Sequence, residues 1–461
     1  MLFITVESHA MTEHMFDFKS ISTDSVENLD IIPEIDRKER PSSLFWLWFA
    51  SNLTIGDFAI GLVAQLYSLG FVTTLLALAI GTVLGGVLLA SMSLMGPVFG
   101  MSQMRIGRYT FGKRGGILMS VLQWGNTLGW FTFNSIIAAS ALSLAFNTSS
   151  YIYPILITVL LVLVLTILGY KTIHIFEKIM SAVLGSMFVV IMAYSIDKIG
   201  IIGNAPVFGA FSAVSFGWIV AFSFSYIMSW GPYASDYSRY LPVKSSPKKI
   251  FILVFAGASL ASFFAEIAGY YVGLATLSTS SNPAEPMQLF LGKYALVGLY
   301  FLFLGGLAAN AINLYSNSMS IRAAGIRVNR RYISISVAAL AVILSYIGYK
   351  SFYVSYENFL FILDYWITPW IAVMIVDFFI RSRRDLKLQF TEVFNIRAIS
   401  AYLIGIIVSI PFMYPSSYYV GPIAKILGVD ISYFISFAVA AILYYLLETK
   451  KTNRLITQAV S

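Results

Sequence analysis

The 461-residue chain contains no cysteine and only three histidines, which are His9, His14 and His174. Without cysteine there can be no disulfide bond, no thiolate metal site and no iron–sulfur cluster. Two of the three histidines lie in the polar N-terminal tail, so a metal site built from histidine is not expected either. We therefore predict no metal and no other cofactor.

Charged residues are also scarce. They make up 11% of the chain, against about 25% in soluble domains, whereas hydrophobic residues make up 58% and aromatic residues 16%. A soluble protein of this size would need more charge to cover its surface, and a disordered chain would hold few aromatic residues. The composition excludes a water-soluble enzyme and predicts an all-α polytopic membrane protein.

Twelve stretches are long and apolar enough to cross a bilayer, which takes about 20 residues in a helix. They lie near residues 44–68, 72–95, 116–145, 151–170, 178–196, 213–234, 250–277, 291–316, 332–349, 357–380, 398–414 and 431–447. We call them spans 1 to 12. Their apolar runs are continuous rather than alternating, which argues against transmembrane β-strands. The tail before them, 1–41, has no apolar core of signal-peptide length, so we expect no cleavage there.

Lysine and arginine alternate between the two sides of this arrangement. If the N-terminus is cytoplasmic, only four of the 30 residues fall in outside segments: Lys198, Lys293, Lys350 and Lys425. The others fall on the inside, as the positive-inside rule requires. Anionic lipid rather than nucleic acid then explains the net charge of +8. We predict twelve spans in the plasma membrane, with the N-terminal tail 1–41 and the C-terminal tail 448–461 both cytoplasmic.

Spans 1 and 6 carry helix-breaking or polar residues near their middle. Span 1 places Gly56 beside Asp57, and Gly231–Pro232 in span 6 removes a backbone donor from the helix. Polar groups at this depth cost free energy and usually mark function. The alternative is a kink whose small residues only assist helix packing.

The two interrupted spans stand at corresponding positions in two halves of the chain. This arrangement indicates a binding site near the membrane midplane in transporters with inverted repeats. We therefore predict two five-helix repeats, at 42–196 and 213–380, followed by two further helices at 398–447.

Spans 3 and 8 add pairs of polar or aromatic residues on one helix face. Trp130 and Asn134 are four residues apart, and Asn310 and Asn313 are three apart. An indole beside a carboxamide offers a stacking surface and a donor–acceptor pair for a small planar heterocycle. The same residues could instead serve packing and hydrogen bonding between helices.

Together these segments resemble nucleobase–cation symporter family 1, and within it the purine/cytosine permeases. The resemblance covers about residues 40–450 and is carried by 48–61, 129–134, 169–177, 230–237 and 310–316. It implies the LeuT-like fold of five plus five helices in inverted repeats. It also implies alternating access and the uptake of a nucleobase or related heterocycle by cation symport.

The resemblance also implies roles for individual residues. By family position, Trp130 and Trp230 would lie on the two faces of the base. Its edge would be hydrogen-bonded by three carboxamides: Asn134, Asn310 and Asn313.

Two carboxyl groups are candidates for coupling. Gly56 and Asp57 would complete the pocket at the break of span 1, although family members usually carry a small or amide side chain at the position of Asp57. A carboxyl group there could bind and release a proton. Glu266 lies deep in span 7 and must be paired or neutral, so it is either structural or a second coupling group.

We expect the coupling ion to be a proton. In sodium-coupled relatives of this fold, the ion lies between carbonyls of the broken first helix and hydroxyls just before the amide of the eighth. Here Ala308 and Ala309 precede Asn310 and offer no side-chain oxygen. A sodium site that uses Asp57 is the alternative.

Several readings of the function stay open at this point. The substrate could be a purine, cytosine, uracil, a hydroxymethylpyrimidine or a hydantoin-like ring. A membrane-embedded enzyme would need a nucleophile–base or metal constellation, and the sequence offers only Asp57 and Glu266 for it. A pump is disfavoured because the chain has no glycine-rich phosphate loop.

Overall fold

The structure is a computed structural model that describes residues 31–168, 170–197, 211–278, 280–326, 328–381, 393–415 and 418–460. The regular structure in these ranges consists of α-helices and short 3₁₀ helices. The first half holds α1 (Pro41–Asn52), α2 (Ile55–Leu66), α3 (Phe71–Ser93), α4 (Met95–Phe99), α5 (Gln103–Phe111), α6 (Gly115–Ala145), α7 (Ile152–Ile167) and α8 (Tyr170–Asp197).

The second half begins with α9 (Ala213–Met228), α10 (Ala234–Ser238), α11 (Pro247–Thr276), α12 (Glu285–Leu291), α13 (Ala295–Ala323), α14 (Arg330–Gly348) and α15 (Phe352–Arg381). It ends with α16 (Ile396–Ser409), α17 (Pro422–Leu427) and α18 (Ser432–Val460). Five 3₁₀ helices connect or extend these elements: Glu34–Asp36, Gly231–Tyr233, Gly292–Tyr294, Tyr349–Ser351 and Ile410–Phe412.

A helix, or a pair of helices, lies at each of the twelve predicted spans. Within the described ranges seven helices are long and apolar enough to cross a membrane, and α1 with α2 makes an eighth, bent span. One of the seven, Arg331–Ile380, holds two of the predicted spans. Three shorter apolar helices lie at Ile152–Ile167, Ala182–Tyr194 and Ile396–Phe412. The chain is a helical, multi-pass membrane protein, and the number of twelve spans stays a prediction.

Both predicted helix breaks are present. The first lies at Leu53 and Thr54, where Thr54 has an extended backbone, and α2 leaves the direction of α1 by 51°. The second follows α9, where the 3₁₀ turn Gly231–Tyr233 leads into the short helix α10. Pro232 lies in the first turn of that 3₁₀ helix, where a missing backbone donor costs nothing.

The largest helix contacts follow a simple pattern. Helices α1 and α2 pack on α11, α3 packs on α9, and α6 packs on α13. In terms of spans, span 1 packs on span 7, span 2 on span 6, and span 3 on span 8. If spans 1, 2 and 3 correspond to spans 6, 7 and 8, the contact of span 1 with span 7 is equivalent to that of span 6 with span 2, and the contact of span 3 with span 8 is equivalent to itself. Two halves with the same order of helices, related by a two-fold axis, produce this pattern. Helices α16 and α18 pack on each other and on α15.

Candidate functional site

The break of span 1 surrounds a fully buried carboxyl group. Asp57 lies in the first turn of α2 and has no exposed surface. The hydroxyl of Ser262 on α11 donates a hydrogen bond to its Oδ1, and Thr54 Oγ1 lies 3.2 Å from its Oδ2 as a second donor. Thr54 Oγ1 is in turn 2.5 Å from the hydroxyl of Tyr226 on α9. Three helices and the break therefore meet at this carboxyl.

Gly56 is held from two sides. Its carbonyl accepts a hydrogen bond of 3.1 Å from the hydroxyl of Tyr356 on α15. A Cβ atom at this position would lie 2.7 Å from the ring of Tyr226, which is closer than packed carbon atoms approach. Glycine lets the start of α2 touch the Tyr226 ring directly.

Trp130 lies against the same tyrosines. Its indole is 6% exposed and makes edge-to-face contacts with Tyr226 at 5.0 Å between ring centroids, Tyr356 at 6.1 Å and Phe359 at 5.2 Å. These distances are typical of favourable aromatic pairs. The structure thus brings together Trp130, Gly56 and Asp57 around Tyr226, and we call this group the Tyr226 cluster.

Trp230 belongs to a second group near the break of span 6. Its indole is also 6% exposed and contacts Trp48 at 5.9 Å and Tyr233 at 5.0 Å. The Tyr233 hydroxyl donates a hydrogen bond of 3.1 Å to Oδ1 of Asn313 on α13. We call these four residues the Trp230 cluster. The buried Trp230 Nε1 has no hydrogen-bond acceptor among the described residues.

The remaining two predicted carboxamides lie on the facing helices α6 and α13. Asn310 donates to the carbonyl of Phe131 at 3.0 Å and to Ser135 Oγ at 2.9 Å, so its amino group ties the two helices together. Its buried Oδ1 has no donor within the described part of the chain. Asn134 is 4% exposed.

Glu266 stands one helical turn after Ser262 on α11 and is fully buried. Ser223 Oγ on α9 lies 3.0 Å from its Oε2, and its Oε1 has no partner among the described residues. The backbone explains why it is close to span 1: a Cβ at Gly61 would lie 2.0 Å from the Glu266 carbonyl oxygen. Helix α2 therefore lies directly on this part of α11, and Glu266 and Asp57 influence each other electrostatically.

Several residues that build the site are not among those that the sequence pattern marked. They are Thr54, Tyr226, Tyr233, Ser262 and Tyr356. One signal was available, because Ser262 and Glu266 are four residues apart and so share a helix face. The tyrosines gave no such signal, since an aromatic residue in an apolar span is equally suited to packing.

Comparison with known proteins identifies the chain. Residues 31–436 match the family described as permeases for cytosine/purines, uracil, thiamine and allantoin. The chain belongs to this family. The predicted membership in nucleobase–cation symporter family 1 is thereby confirmed, and the chain is a membrane transporter of the permease type.

Two curated relatives cover most of the chain. A putative purine-cytosine permease of Bacillus subtilis is 29% identical over 445 residues, which is 92% of this chain and 96% of the relative. A purine-cytosine permease of Emericella nidulans is 29% identical over 435 residues, or 87% of this chain and 84% of the relative.

Solved structures show the same fold. Mhp1, a nucleobase-cation-symport-1 family transporter, was solved in a closed conformation with bromovinylhydantoin bound. It matches with a TM-score of 0.72 and 20% identity over 93% of this chain and 96% of that chain. The inward-facing conformation of Mhp1 matches with a TM-score of 0.75 and 18% identity over 93% and 95%. The LeuT-like fold implied by the sequence is confirmed.

Proposed function

We propose that this permease imports a nucleobase, or a closely related planar nitrogen heterocycle, across the plasma membrane by proton symport and alternating access. The observation that carries the proposal is a pair of buried indoles: Trp130 contacts Tyr226, which lies against the break of span 1, and Trp230, at the break of span 6, has an unpaired N–H group. Buried polar groups are normally hydrogen-bonded. A donor left unpaired beside an aromatic face suits the polar edge and flat face of such a ring.

The printed names of the relatives agree with this substrate class. Two of them are purine-cytosine permeases. A vitamin B6 transporter of Saccharomyces cerevisiae is 26% identical over 373 residues, which is 75% of this chain and 63% of the relative. We therefore centre the proposal on purines and cytosine, and a pyridine ring belongs in any ligand panel.

We assign the two indoles to opposite faces of the ring. Trp130 belongs to the Tyr226 cluster and Trp230 to the Trp230 cluster, and within the described residues no ring contact joins the two indoles. A planar ligand between the clusters would contact both. The rest of the proposed site comprises Gly56, Asp57, Asn134, Asn310 and Asn313.

We assign coupling to Asp57 and Glu266, with a proton as the ion. Ala308 and Ala309 are buried on α13 and offer no side-chain oxygen just before Asn310. The nearest serine hydroxyl on this helix, that of Ser316, comes almost two turns later. A sodium ion prefers several hard oxygen ligands, and this position lacks two of them.

The topology belongs to the same proposal. The contact pattern of α1, α2, α3, α9 and α11 supports two inverted repeats at 42–196 and 213–380. We propose twelve spans with the 1–41 and 448–461 tails in the cytoplasm, an arrangement that the distribution of lysine and arginine supports.

Two measurements test the function. A thermal-shift screen of the purified protein against purines, pyrimidines, hydantoins and pyridoxine should show stabilisation by one class, because a ligand that binds the folded state raises its stability. Uptake of that ligand into proteoliposomes should follow an imposed proton gradient. Accumulation driven by sodium at constant pH would contradict proton coupling.

A further inference from the structure

Asp57 and Glu266 differ in the hydrogen bonds that surround them, although both are fully buried. Asp57 has hydroxyl groups at both oxygens, from Ser262 and Thr54. Hydroxyls can donate to a carboxylate or accept from a carboxylic acid. The surroundings of Asp57 therefore accommodate the charged and the protonated form.

Glu266 has a poorer set of partners. Its only described donor, Ser223 Oγ, lies equally close, at 3.0 Å, to the carbonyl oxygen of Leu78 on α3. A hydroxyl has one hydrogen, so it can serve both only if Glu266 is protonated and donates to Ser223. A charged Glu266 would also leave Oε1 bare in a buried site, which is costly.

Within the described ranges no cation forms an ion pair with either of these acids. The titratable groups that act on the two carboxyls are each other, Tyr226 on α9 and Tyr356 on α15, and neither acid has an ion-pair partner among the described residues. Two buried carboxylates that act on each other across adjacent membrane spans cannot both be charged without a large cost. At most one of the two carboxyls is therefore charged, and the hydroxyls of Ser262 and Thr54 place that charge on Asp57.

The hydroxyls of Thr54 and Tyr226 form a chain that starts at this carboxyl, and the ring of Tyr226 contacts Trp130. Either oxygen of the 2.5 Å pair can be the donor. When Asp57 is charged, Thr54 donates to Asp57 and Tyr226 donates to Thr54. When Asp57 is protonated, it donates to Thr54, and Thr54 donates to Tyr226. The Tyr226 hydroxyl keeps its hydrogen, which is then free to bond to another acceptor.

We propose that protonation of Asp57 reverses the hydrogen bonds of Thr54 and Tyr226, so that Tyr226 becomes a donor to the substrate, while Glu266 stays protonated throughout transport. The inference rests on the proposed function, because it assumes a heterocycle beside Trp130, whose ring is 5.0 Å from that of Tyr226. Of the two acids assigned to coupling, only Asp57 then exchanges a proton, which passes from the outside water to its carboxylate and leaves it on the inside. Since the hydrogen of the Tyr226 hydroxyl then needs an acceptor, the proton and the substrate favour each other's binding.

The test measures the affinity of the purified full-length protein for its best thermal-shift ligand at about pH 8 and about pH 5. One additional hydrogen bond predicts binding about five- to tenfold tighter at the lower pH in the unaltered protein. Thr54→Val, which removes the relaying hydroxyl, should lose this pH dependence, whereas Thr54→Ser should keep it. Thr276→Val, at the far end of α11, is the matched control and should also keep it.

Two further variants distinguish the role of Asp57 from that of Glu266. In Asp57→Asn the amide group donates to Thr54 at every pH, so binding should be tight and independent of pH, and proton-driven accumulation in proteoliposomes should be lost. Glu266→Gln imitates a protonated glutamate, so the affinity should still rise as the pH falls. If Asp57→Asn does not fold, the Thr54 pair still decides the question.

The contrary outcomes are distinct. Equal pH dependence in Thr54→Val and Thr54→Ser would overturn the relay, and its loss in Glu266→Gln would overturn the assignment of the exchanged proton to Asp57. Tighter binding on addition of sodium at constant pH, with no response to pH, would overturn both. Failure of every heterocycle to stabilise the unaltered protein would instead overturn the proposed function.

Discussion

At the scale of single residues, Trp130 and Trp230, the two indoles predicted to bind the ring, have different surroundings. Trp130 is packed edge-on by three aromatic rings, whereas Trp230 contacts Trp48 and Tyr233 and keeps an unpaired N–H group. We therefore expect Trp130 to act through its aromatic surface and Trp230 through both its surface and its donor.

Replacing Trp130 tests the stacking role. Stacking on an aromatic side chain contributes about 1–3 kcal/mol per base, so Trp130→Ala should weaken ligand binding roughly 5- to 150-fold. The affinity is measured by ligand-dependent thermal shift. Trp46, which is 66% exposed, provides the control, since Trp46→Ala should leave affinity unchanged. Equal affinities for both variants would show that Trp130 is not part of the site.

Two buried carboxamides, those of Asn134 and Asn317, also differ in their hydrogen bonds. The structure gives the Asn134 side chain no hydrogen bond to a described residue, whereas Asn317 donates to the Trp124 carbonyl and to Thr127 Oγ1. Asn134→Ser should change the ranking of purines against pyrimidines, because an unpaired ligand edge costs about 1–3 kcal/mol. Asn317→Ser should lower stability without changing the ranking. A competition assay over the ligand panel measures both, and parallel losses for all ligands in Asn134→Ser would indicate folding damage instead.

At the scale of elements, glycines determine how closely the broken span 1 approaches span 7. A Cβ at Gly61 would lie 2.0 Å from the Glu266 carbonyl oxygen, and a Cβ at Gly269 would lie 2.0 Å from that of Phe58. Backbone atoms cannot move aside as a flexible side chain can. The positions of Asp57 and Ser262 depend on this contact, because they are on the two helices that it joins.

Gly61→Ala should therefore destabilise the protein by about 1–3 kcal/mol, as overpacking does, and should also weaken ligand binding. The thermal midpoint in detergent and the ligand-induced shift report the two effects. Gly125→Ala in α6 is the control, since its Cβ would meet nothing within 4 Å and alanine favours a helix. A Gly61→Ala protein as stable as the Gly125→Ala protein would contradict the close contact.

The segment before α18 contains a buried acid outside the membrane spans. Asp430 accepts hydrogen bonds from the Tyr365 hydroxyl at 2.7 Å and from the backbone N–H groups of Tyr414 at 2.6 Å and Ser432 at 2.8 Å. Burial raises the pKa of Asp430 above its usual value, and these hydrogen bonds offset only part of the effect. One carboxyl therefore connects α15, the loop after α16 and the start of α18.

The sign of the pH effect follows from the raised pKa. The folded state holds the proton of the Asp430 carboxyl more tightly than the unfolded state does. The stability that this protonated carboxyl contributes is therefore complete below about pH 4 and is lost as the pH rises through the folded pKa. Asp430→Asn should abolish this part of the pH dependence. Thermal midpoints of both proteins over a pH series measure it, and parallel curves for the two would contradict the prediction.

At the scale of the whole molecule, the orientation can be tested directly because the chain has no cysteine. Lys244 precedes α11 and Ser281 follows it, and both are exposed. In intact cells a membrane-impermeant maleimide should label Ser281→Cys but not Lys244→Cys, and both after permeabilisation. The unaltered protein is the unlabelled control. Labelling of Lys244→Cys alone in intact cells would invert the proposed topology.

Much of the fold could be predicted from the sequence. Long apolar runs separated by charged loops predict helices, and Gly231–Pro232 predicts a break because proline removes a backbone donor. The positions of Asp57, Trp130 and Trp230 in interrupted or polar spans also marked them as site candidates. The partners of Asp57 were not predictable, since Ser262 and Tyr226 are about 200 and 170 residues away along the chain.

By itself, the sequence determined that this protein spans the membrane as helices, where two of them break and to which family it belongs. These properties follow from local chemistry: apolar length, backbone donors and ordered motifs. Only the tertiary structure decided that Asn310 ties α6 to α13, that Asn313 accepts from Tyr233, and that a hydroxyl chain joins Asp57 to Tyr226. The physical reason is that spans apolar on every side carry little hydrophobic periodicity, so the rotation of each helix, and hence its polar partners, is set by packing against its neighbours.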